Sequence, residues 1–201
     1  LATLSMTQEA MALSSENIKV MSSILNDLRA SIGSRTQLNI SKINVDEFFS
    51  ALFGYFKAQL KEEGLECAFN LILKNNQIDD FYCDYEVMSD VFLRLLFNSY
   101  QHAYSVNDRV QNITFHITQD NDFLTIEYRD DGRGLDDAER ENMFIPFFTG
   151  QTRKKNSSGL GMYILHNQVV KILKGRVDLL TVDKGFAIQI KIPKEYSDYQ
   201  I

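Results

Sequence analysis

Apolar positions along the chain recur in more than one rhythm, and each rhythm predicts a different element. Near the start, Leu4, Thr7, Met11, Ser14, Ile18, Met21, Leu25, Leu28 and Ile32 are separated by alternating threes and fours. That is an a/d heptad seam, apolar except at Thr7 and Ser14. A helix of this length, roughly 42 Å at 1.5 Å per residue, cannot bury such a stripe on itself. It is expected to pair with another helix rather than lie on its own domain, with Gly33 as its C-cap. From Gln37 to Val45 the pattern alternates as in a half-buried strand. Asp46 is read as the cap of a helix whose apolar face is Phe48, Phe49, Leu52, Phe53, Phe56 and Leu60, ending at Gly64. Strands are predicted over Glu66–Leu73 and Phe81–Cys83, and a helix from Tyr85 to about Tyr104. Asn112–Thr118 and Phe123–Arg129 form a hairpin around a polar turn. A short helical stretch, Asp136–Asn142, and an aperiodic basic segment, Thr149–Ser158, come next; the latter reads as a mobile lid. A helix over Gly159–Lys174, stopped by Gly175, leads into a closing strand pair, Arg176–Val182 and Gly185–Ile192. The residues from 194 to 201 read as a polar, frayed tail.

Composition changes the picture modestly. A chain of 201 residues, 44% hydrophobic and 24% charged, suits one globular domain with an appendage. A net charge of −6 argues against a nucleic-acid partner, whose phosphates require neutralisation. No run approaches the ~18 apolar residues of a membrane span. Because the chain begins at Leu1 rather than Met, it is expected to be part of something longer, with any membrane or sensor segment outside it and its own location cytoplasmic. Cys67 and Cys83 have neither CxxC spacing nor a suitably placed histidine, so they read as reduced thiols rather than a disulfide or a zinc site.

Candidate chemistry gathers at three places. Asn98 falls within the apolar helix Tyr85–Tyr104. It is either a core amide satisfied by backbone or an oxygen ligand for a hard cation such as Mg²⁺. Asp130 ends a strand and opens into Gly132 and Gly134, which is a plain turn or a close approach of backbone to a ligand. Gly159 and Gly161 head a helix, where backbone N–H groups suit phosphate. The lid between carries Arg153, Lys154 and Lys155, which are a solvated run or a γ-phosphate clamp.

In this order, Asn98, Asp130-x-Gly132-x-Gly134, Phe144 with Phe147, and Gly159-Leu160-Gly161 resemble the ATP-binding domain of sensor histidine kinases, one branch of the GHKL ATPases, over about Gln37–Pro193. The resemblance implies a two-layer α/β sandwich: a mixed, mainly antiparallel sheet with helices on one face. It implies that Asp130 accepts from the adenine amino group and that Gly132 and Gly134 pass beneath the base. Asn98 would hold Mg²⁺, and Gly159, Leu160 and Gly161 would lie on the phosphate side. Phe144 and Phe147 would anchor the lid, from which Arg153, Lys154 and Lys155 reach the γ-phosphate. Gln101 and His102 would join Asn98 as catalytic candidates, Gln101 being compatible with activity and His102 either lining the phosphate pocket or a helix histidine with no role in the chemistry. Residues 1–33 resemble the second helix of a dimerising hairpin whose acceptor-bearing first helix is absent, so a homodimer and a response-regulator receiver domain are the implied partners. None of His102, His116 and His166 has the family's acceptor context.

Two positions depart from the pattern. Arg94 stands where many members have a second Asn, and Gln101 where many have Lys. A position that holds a water-activating glutamate in ATP-hydrolysing relatives is here an always-protonated arginine, which favours phosphoryl transfer over hydrolysis. The implied function is transfer of the ATP γ-phosphate to a histidine, for relay to an aspartate. The rivals are a serine kinase of the anti-sigma-factor type and a degenerate docking module that does not use nucleotide.

Overall fold

A computed structural model describes residues 38–62, 69–75, 78, 80–104, 111–150 and 158–194. The heptad helix, the lid cations Arg153, Lys154 and Lys155, Cys67 and nearly all of the tail lie outside the described residues.

Strand β1 (Ile40–Asn44) runs directly into helix α1 (Val45–Glu62). The cap is Asn44, not Asp46: the Asn44 side-chain oxygen accepts from the Glu47 N–H at 3.0 Å, and Asp46 sits in the first turn. The apolar face read from the sequence is the buried one, with Phe48, Phe49, Leu52, Phe56 and Leu60 inside and Phe53 partly covered. After β2 (Phe69–Asn75) and β3 (Asp80–Asp84) comes helix α2 (Tyr85–Asn98). Asp84 caps it, accepting from the N–H groups of Glu86 and Val87. The helix predicted to reach Tyr104 is α-helical only to Asn98; Ser99–Ala103 form a wider π-helical turn. Such single π turns inside helices are frequent at functional sites.

Strands β4 (Gln111–Gln119) and β5 (Phe123–Asp130), helix α3 (Asp137–Asn142), helix α4 (Gly161–Asn167), a second π turn (Gln168–Ile172), β6 (Arg176–Leu179) and β7 (Phe186–Pro193) complete the order. The last helix ends through Lys174 rather than Gly175, for it is Lys174 that takes the left-handed backbone, with φ of 54°. Gly175 is needed one residue later for space, because a Cβ there would meet the Lys191 carbonyl at 2.4 Å.

Five strands make one sheet in the order β2-β4-β5-β7-β6. Only β2 and β4 are parallel; the other three pairings are antiparallel. β1 and β3 form a separate antiparallel pair. On β4 and β5 burial alternates, placing Ile113, Phe115, Ile117, Leu124, Ile126 and Tyr128 inside. One face of the sheet is therefore covered, and α1, α2 and α4 supply the cover, as the two-layer expectation requires. Phe48, Phe49, Phe92 and Phe115 interlock near the middle with ring centroids 5.0–6.2 Å apart. Such aromatic pairs add about 0.5–1.5 kcal/mol each beyond burial. This core holds the C-terminal end of α2 against the end of β5, where the candidate residues lie.

Candidate functional site

Asp130 is the last residue of β5 and follows the inward alternation of Leu124, Ile126 and Tyr128, so its carboxylate points into the covered face at 5% exposure. Three groups satisfy it. The Ser99 hydroxyl donates to Oδ2 at 2.5 Å, and the N–H groups of Gly132 and Phe186 donate to Oδ1 at 3.0 and 3.2 Å. The Tyr128 hydroxyl in turn donates to Ser99 Oγ at 2.6 Å. Burial pushes the Asp130 carboxyl above the usual carboxylate range, against the pull of those three donors. Its neighbour Asp131 behaves oppositely. Burial acts to raise it, but hydrogen bonds from the Asn112 side chain and N–H and from the Tyr104 hydroxyl win, and hold it below its ordinary value. Asp131 thus ties the loop to β4, while Asp130 turns inward.

The loop beyond Asp130 is tightly enclosed. A Cβ on Gly132 would meet the Ala103 side chain and carbonyl at 2.5 Å, and one on Gly134 would meet the Gly185 carbonyl at 2.8 Å. The loop is latched as well. The Arg133 N–H donates to the Ala103 carbonyl and its Nε to the His102 carbonyl. Both Arg133 terminal nitrogens bind Glu139 at 2.8 and 2.7 Å. Glu139 is 3% exposed and also closes a capping box with Asp136 at the start of α3.

Beside this loop is a cavity of about 540 Å³. Asn98, Gln101 and His102 line it from α2 and its π turn, Arg133 and Glu139 from the glycine loop and α3, and Gly159 and Gly161 from the head of α4. Asn98 is half-buried, and its amide makes no hydrogen bond to any described residue. The core-amide alternative therefore fails here: this side chain is a polar group on a cavity wall.

The sequence-predicted residues are not all gathered there. Asp130, Gly132, Gly134 and Leu160 do not line it, and Leu160 is buried, its carbonyl accepting from the Ile164 N–H. Of the two expected anchors only Phe144 is packed, its ring 4.9 Å from that of His166. Phe147 is 60% exposed and takes a φ of 66°, so it is a turn residue rather than an anchor, and its neighbour Phe148 lines the cavity instead. Gly159 lies against the turn before it: a Cβ there would come within 2.7 Å of the Phe147 and Phe148 backbone. The sequence reading also missed Asp90, Ser99, Glu139, Phe148 and Gly185. For Asp90 a signal existed, since it precedes Arg94 by four residues on one helix.

The family model for the "Histidine kinase-, DNA gyrase B-, and HSP90-like ATPase" matches residues 83–196, more than half of the chain. The chain belongs to this ATPase family. Among relatives, a probable C4-dicarboxylate sensor kinase of Halalkalibacterium halodurans is 28% identical over 102 residues, which is 50% of this chain and 19% of that protein. The autoinducer 2 sensor kinase/phosphatase LuxQ of Vibrio vulnificus is 26% identical over 186 residues, 86% of this chain and 21% of its own length. The chain thus spans about a fifth or less of the curated relatives it matches. The Acinetobacter baumannii histidine kinase AdeS shares the fold, with a TM-score of 0.66 at 19% identity over 88% of this chain and 80% of that one. No helix among the described residues is long and apolar enough to cross a membrane.

Proposed function

We propose that this ATPase-family domain is the ATP-binding catalytic part of a sensor histidine kinase. Asp130 and the loop through Gly132 and Gly134 take the adenine, and Asn98, Gln101, His102, Gly159 and Gly161 surround the phosphates, with buried Leu160 packed behind the two glycines it joins. The observation that carries this reading is the unpartnered Asn98 amide on the cavity wall, immediately before Ser99, which hydrogen-bonds Asp130. Polar atoms on both sides of one helix turn are thereby directed at a base and at its phosphates.

The donor set fits Mg²⁺ in one respect. Asn98 offers a hard oxygen, and a nucleotide's phosphate oxygens would complete the coordination, as is usual for this ion. When bound, the ion offsets phosphate charge. The rest is positioning. Asp130, fixed by Ser99, Gly132 and Phe186, orients the base. Arg153, Lys154 and Lys155 approach the γ-phosphate from the lid, and an imidazole outside the domain attacks it. The acceptor is none of His102, His116 and His166. His102 lines the cavity, His116 lies within a sheet strand, and His166 is packed on Phe144, with burial and then Lys171 lowering its pKa.

Residues 1–33 are read as the dimerising helix, and a response-regulator receiver domain as the onward acceptor. The solved histidine kinase ThkA in complex with the response regulator TrrA, which shares this fold at a TM-score of 0.65, supports that partner class. The test is calorimetric titration with a non-hydrolysable ATP analogue, with and without Mg²⁺, followed by phosphotransfer to an added acceptor-helix domain. Saturable binding lost in Asp130→Ala, together with a phosphohistidine on the added domain, is expected. No binding at millimolar ligand by a folded protein would favour the docking-module alternative, and binding without any labelled histidine would count against the kinase reading.

A further inference from the structure

Arg133 stands where the parts of the proposed site meet. We propose that it is a positioning residue, which holds the π turn Ser99–Ala103 in the shape that presents Gln101 and His102 to the cavity, and so couples capture of the base to capture of the phosphates. The inference rests on the reading of this cavity as a nucleotide site.

The glycine loop and the π turn are joined almost residue by residue. The Ser99 hydroxyl donates to Asp130 Oδ2 at 2.5 Å, and the Tyr104 hydroxyl to Asp131 Oδ1 at 2.9 Å. A Cβ on Gly132 would meet Ala103 at 2.5 Å. Arg133 completes the series: its N–H donates to the Ala103 carbonyl at 2.9 Å and its Nε to the His102 carbonyl at 3.1 Å. The last carbonyls of a helix have no partner within it, and here Arg133 supplies donors for two of them. The turn is thus held at its start by the residue read as the base acceptor and at its end by Arg133. Its side chains depend on that hold. A π turn takes one residue more into each ring than an α-helix, and one residue is worth roughly 100° around an α-helix. Relaxation of Ser99–Ala103 to α-helical spacing would swing Gln101 and His102 away from the directions in which they line the cavity.

The other end of Arg133 reaches a second wall. Nη1 and Nη2 bind the two Glu139 oxygens at 2.8 and 2.7 Å. Glu139 is 3% exposed and belongs to the capping box of α3. A bidentate pair fixes the plane of the guanidinium, and that plane decides where Nε points. With an acceptor at each of its three guanidinium nitrogens, Arg133 is arranged to hold protein rather than to bind phosphate. Base loop, phosphate-side turn and α3 therefore share one side chain.

The test is equilibrium binding of ATP and of adenosine to the wild-type chain, Arg133→Gln, Glu139→Gln and the double variant, with circular dichroism at the titration temperature to confirm folding. Glutamine serves a capping box as glutamate does, so Glu139→Gln loosens the latch and leaves the start of α3 intact. Arg133→Gln is expected to bind adenosine within about twofold of wild type and ATP roughly tenfold or more weakly. Glu139→Gln is expected to move ATP the same way by about threefold or more, since a charge-assisted bond becomes a neutral one, and the double variant to be no worse than Arg133→Gln. Equal loss of ATP and adenosine in Arg133→Gln overturns the proposal, because that is what a merely loosened fold gives; so does unchanged ATP binding. Tighter ATP binding by Glu139→Gln also overturns it, since Arg133 released from Glu139 would then be a direct phosphate ligand. A folded wild type that binds neither ATP nor adenosine defeats the nucleotide reading itself, and this inference with it.

Discussion

Replacing Gly161 by alanine separates what the fold needs from what a ligand needs. Gly161 is the first residue of α4, and a Cβ built on it meets nothing within 4 Å. Its φ is not in the left-handed region. The fold gives no reason for glycine there, and alanine is better in a helix by about 0.5–1 kcal/mol. At roughly 2–4 °C per kcal/mol for a chain of this size, the melting temperature is expected to stay level or rise by about 1–4 °C. The new methyl, however, stands on the cavity wall, where a phosphate would approach the backbone N–H. Losing one hydrogen bond to a charged group costs about 1.5–3 kcal/mol, or roughly 10–100-fold in Kd. Gly159→Ala is the control with the opposite logic. Gly159 has a φ of 66°, and its Cβ would meet the Phe147 and Phe148 backbone at 2.7 Å. The left-handed backbone costs about 1–2 kcal/mol and the overpacking about 1–3, so melting should fall by roughly 4–20 °C. Thermal melts and titration with a fluorescent ATP analogue read both quantities. A Gly161→Ala protein with wild-type affinity, or one that melts as low as Gly159→Ala, would refute the reasoning.

The other expectations concern the ionisable groups at and beside the cavity. Ser99→Ala removes the donor to Asp130 Oδ2 and the acceptor of Tyr128, and is expected to cost about 1.5–3 kcal/mol in urea unfolding. It should also raise the Asp130 pKa further, moving the acidic limb of nucleotide binding to higher pH; an unmoved limb would show that Ser99 does not govern the carboxylate. For Asp130 itself, burial holds the folded-state pKa above the unfolded one, so the native state binds the extra proton. Stability therefore falls as pH rises from the ordinary carboxylate range through the folded pKa, and the full cost is present above it. Asp130→Asn should melt at or above wild type at pH 7, with the gap closing toward pH 4, while adenine binding is lost; a constant gap across that range counts against the assignment. Arg133→Ala leaves the buried Glu139 carboxylate without the Arg133 guanidinium. It is expected to cost about 3 kcal/mol by urea unfolding, and the added change Glu139→Gln should recover part of that; a double variant no better than the single one would deny that the loss of the Arg133 charge beside a buried carboxylate is the cause.

The helices and the hairpin were legible because their apolar periods are clean. Phe48, Phe49, Leu52 and Phe56 recur at helical spacing, and β4 and β5 alternate without interruption. The ends were less legible, because caps are settled by single hydrogen bonds. Asn44 took the role read for Asp46, and Lys174 the turn read for Gly175. Counting along the helix also misled. Three- and four-residue steps assume an α-helix throughout, and the π turn at Ser99–Ala103 re-phases Gln101 and His102 against Asn98. Asp130 and the glycines were legible because turn chemistry leaves few residue types to choose from. Ser99, Glu139 and Gly185 were not, since each acts through a partner distant in sequence, and no local pattern marks such a pairing.

The contact between Asp130 and the β7 end of the sheet bears on how the protein is made. Asp130 receives its N–H from Phe186, 56 residues further along, and the Gly185 backbone lies against its carbonyl. During synthesis the carboxylate leaves the ribosome long before either residue exists. Until β7 adds itself beside β5, that group has Ser99 and Gly132 as donors and lacks the third. A ribosome-bound chain ending at Asp183 would carry most of the motifs yet lack the Phe186 donor and the Gly185 contact, so on the proposed function nucleotide capture is expected only once the last strand is in place.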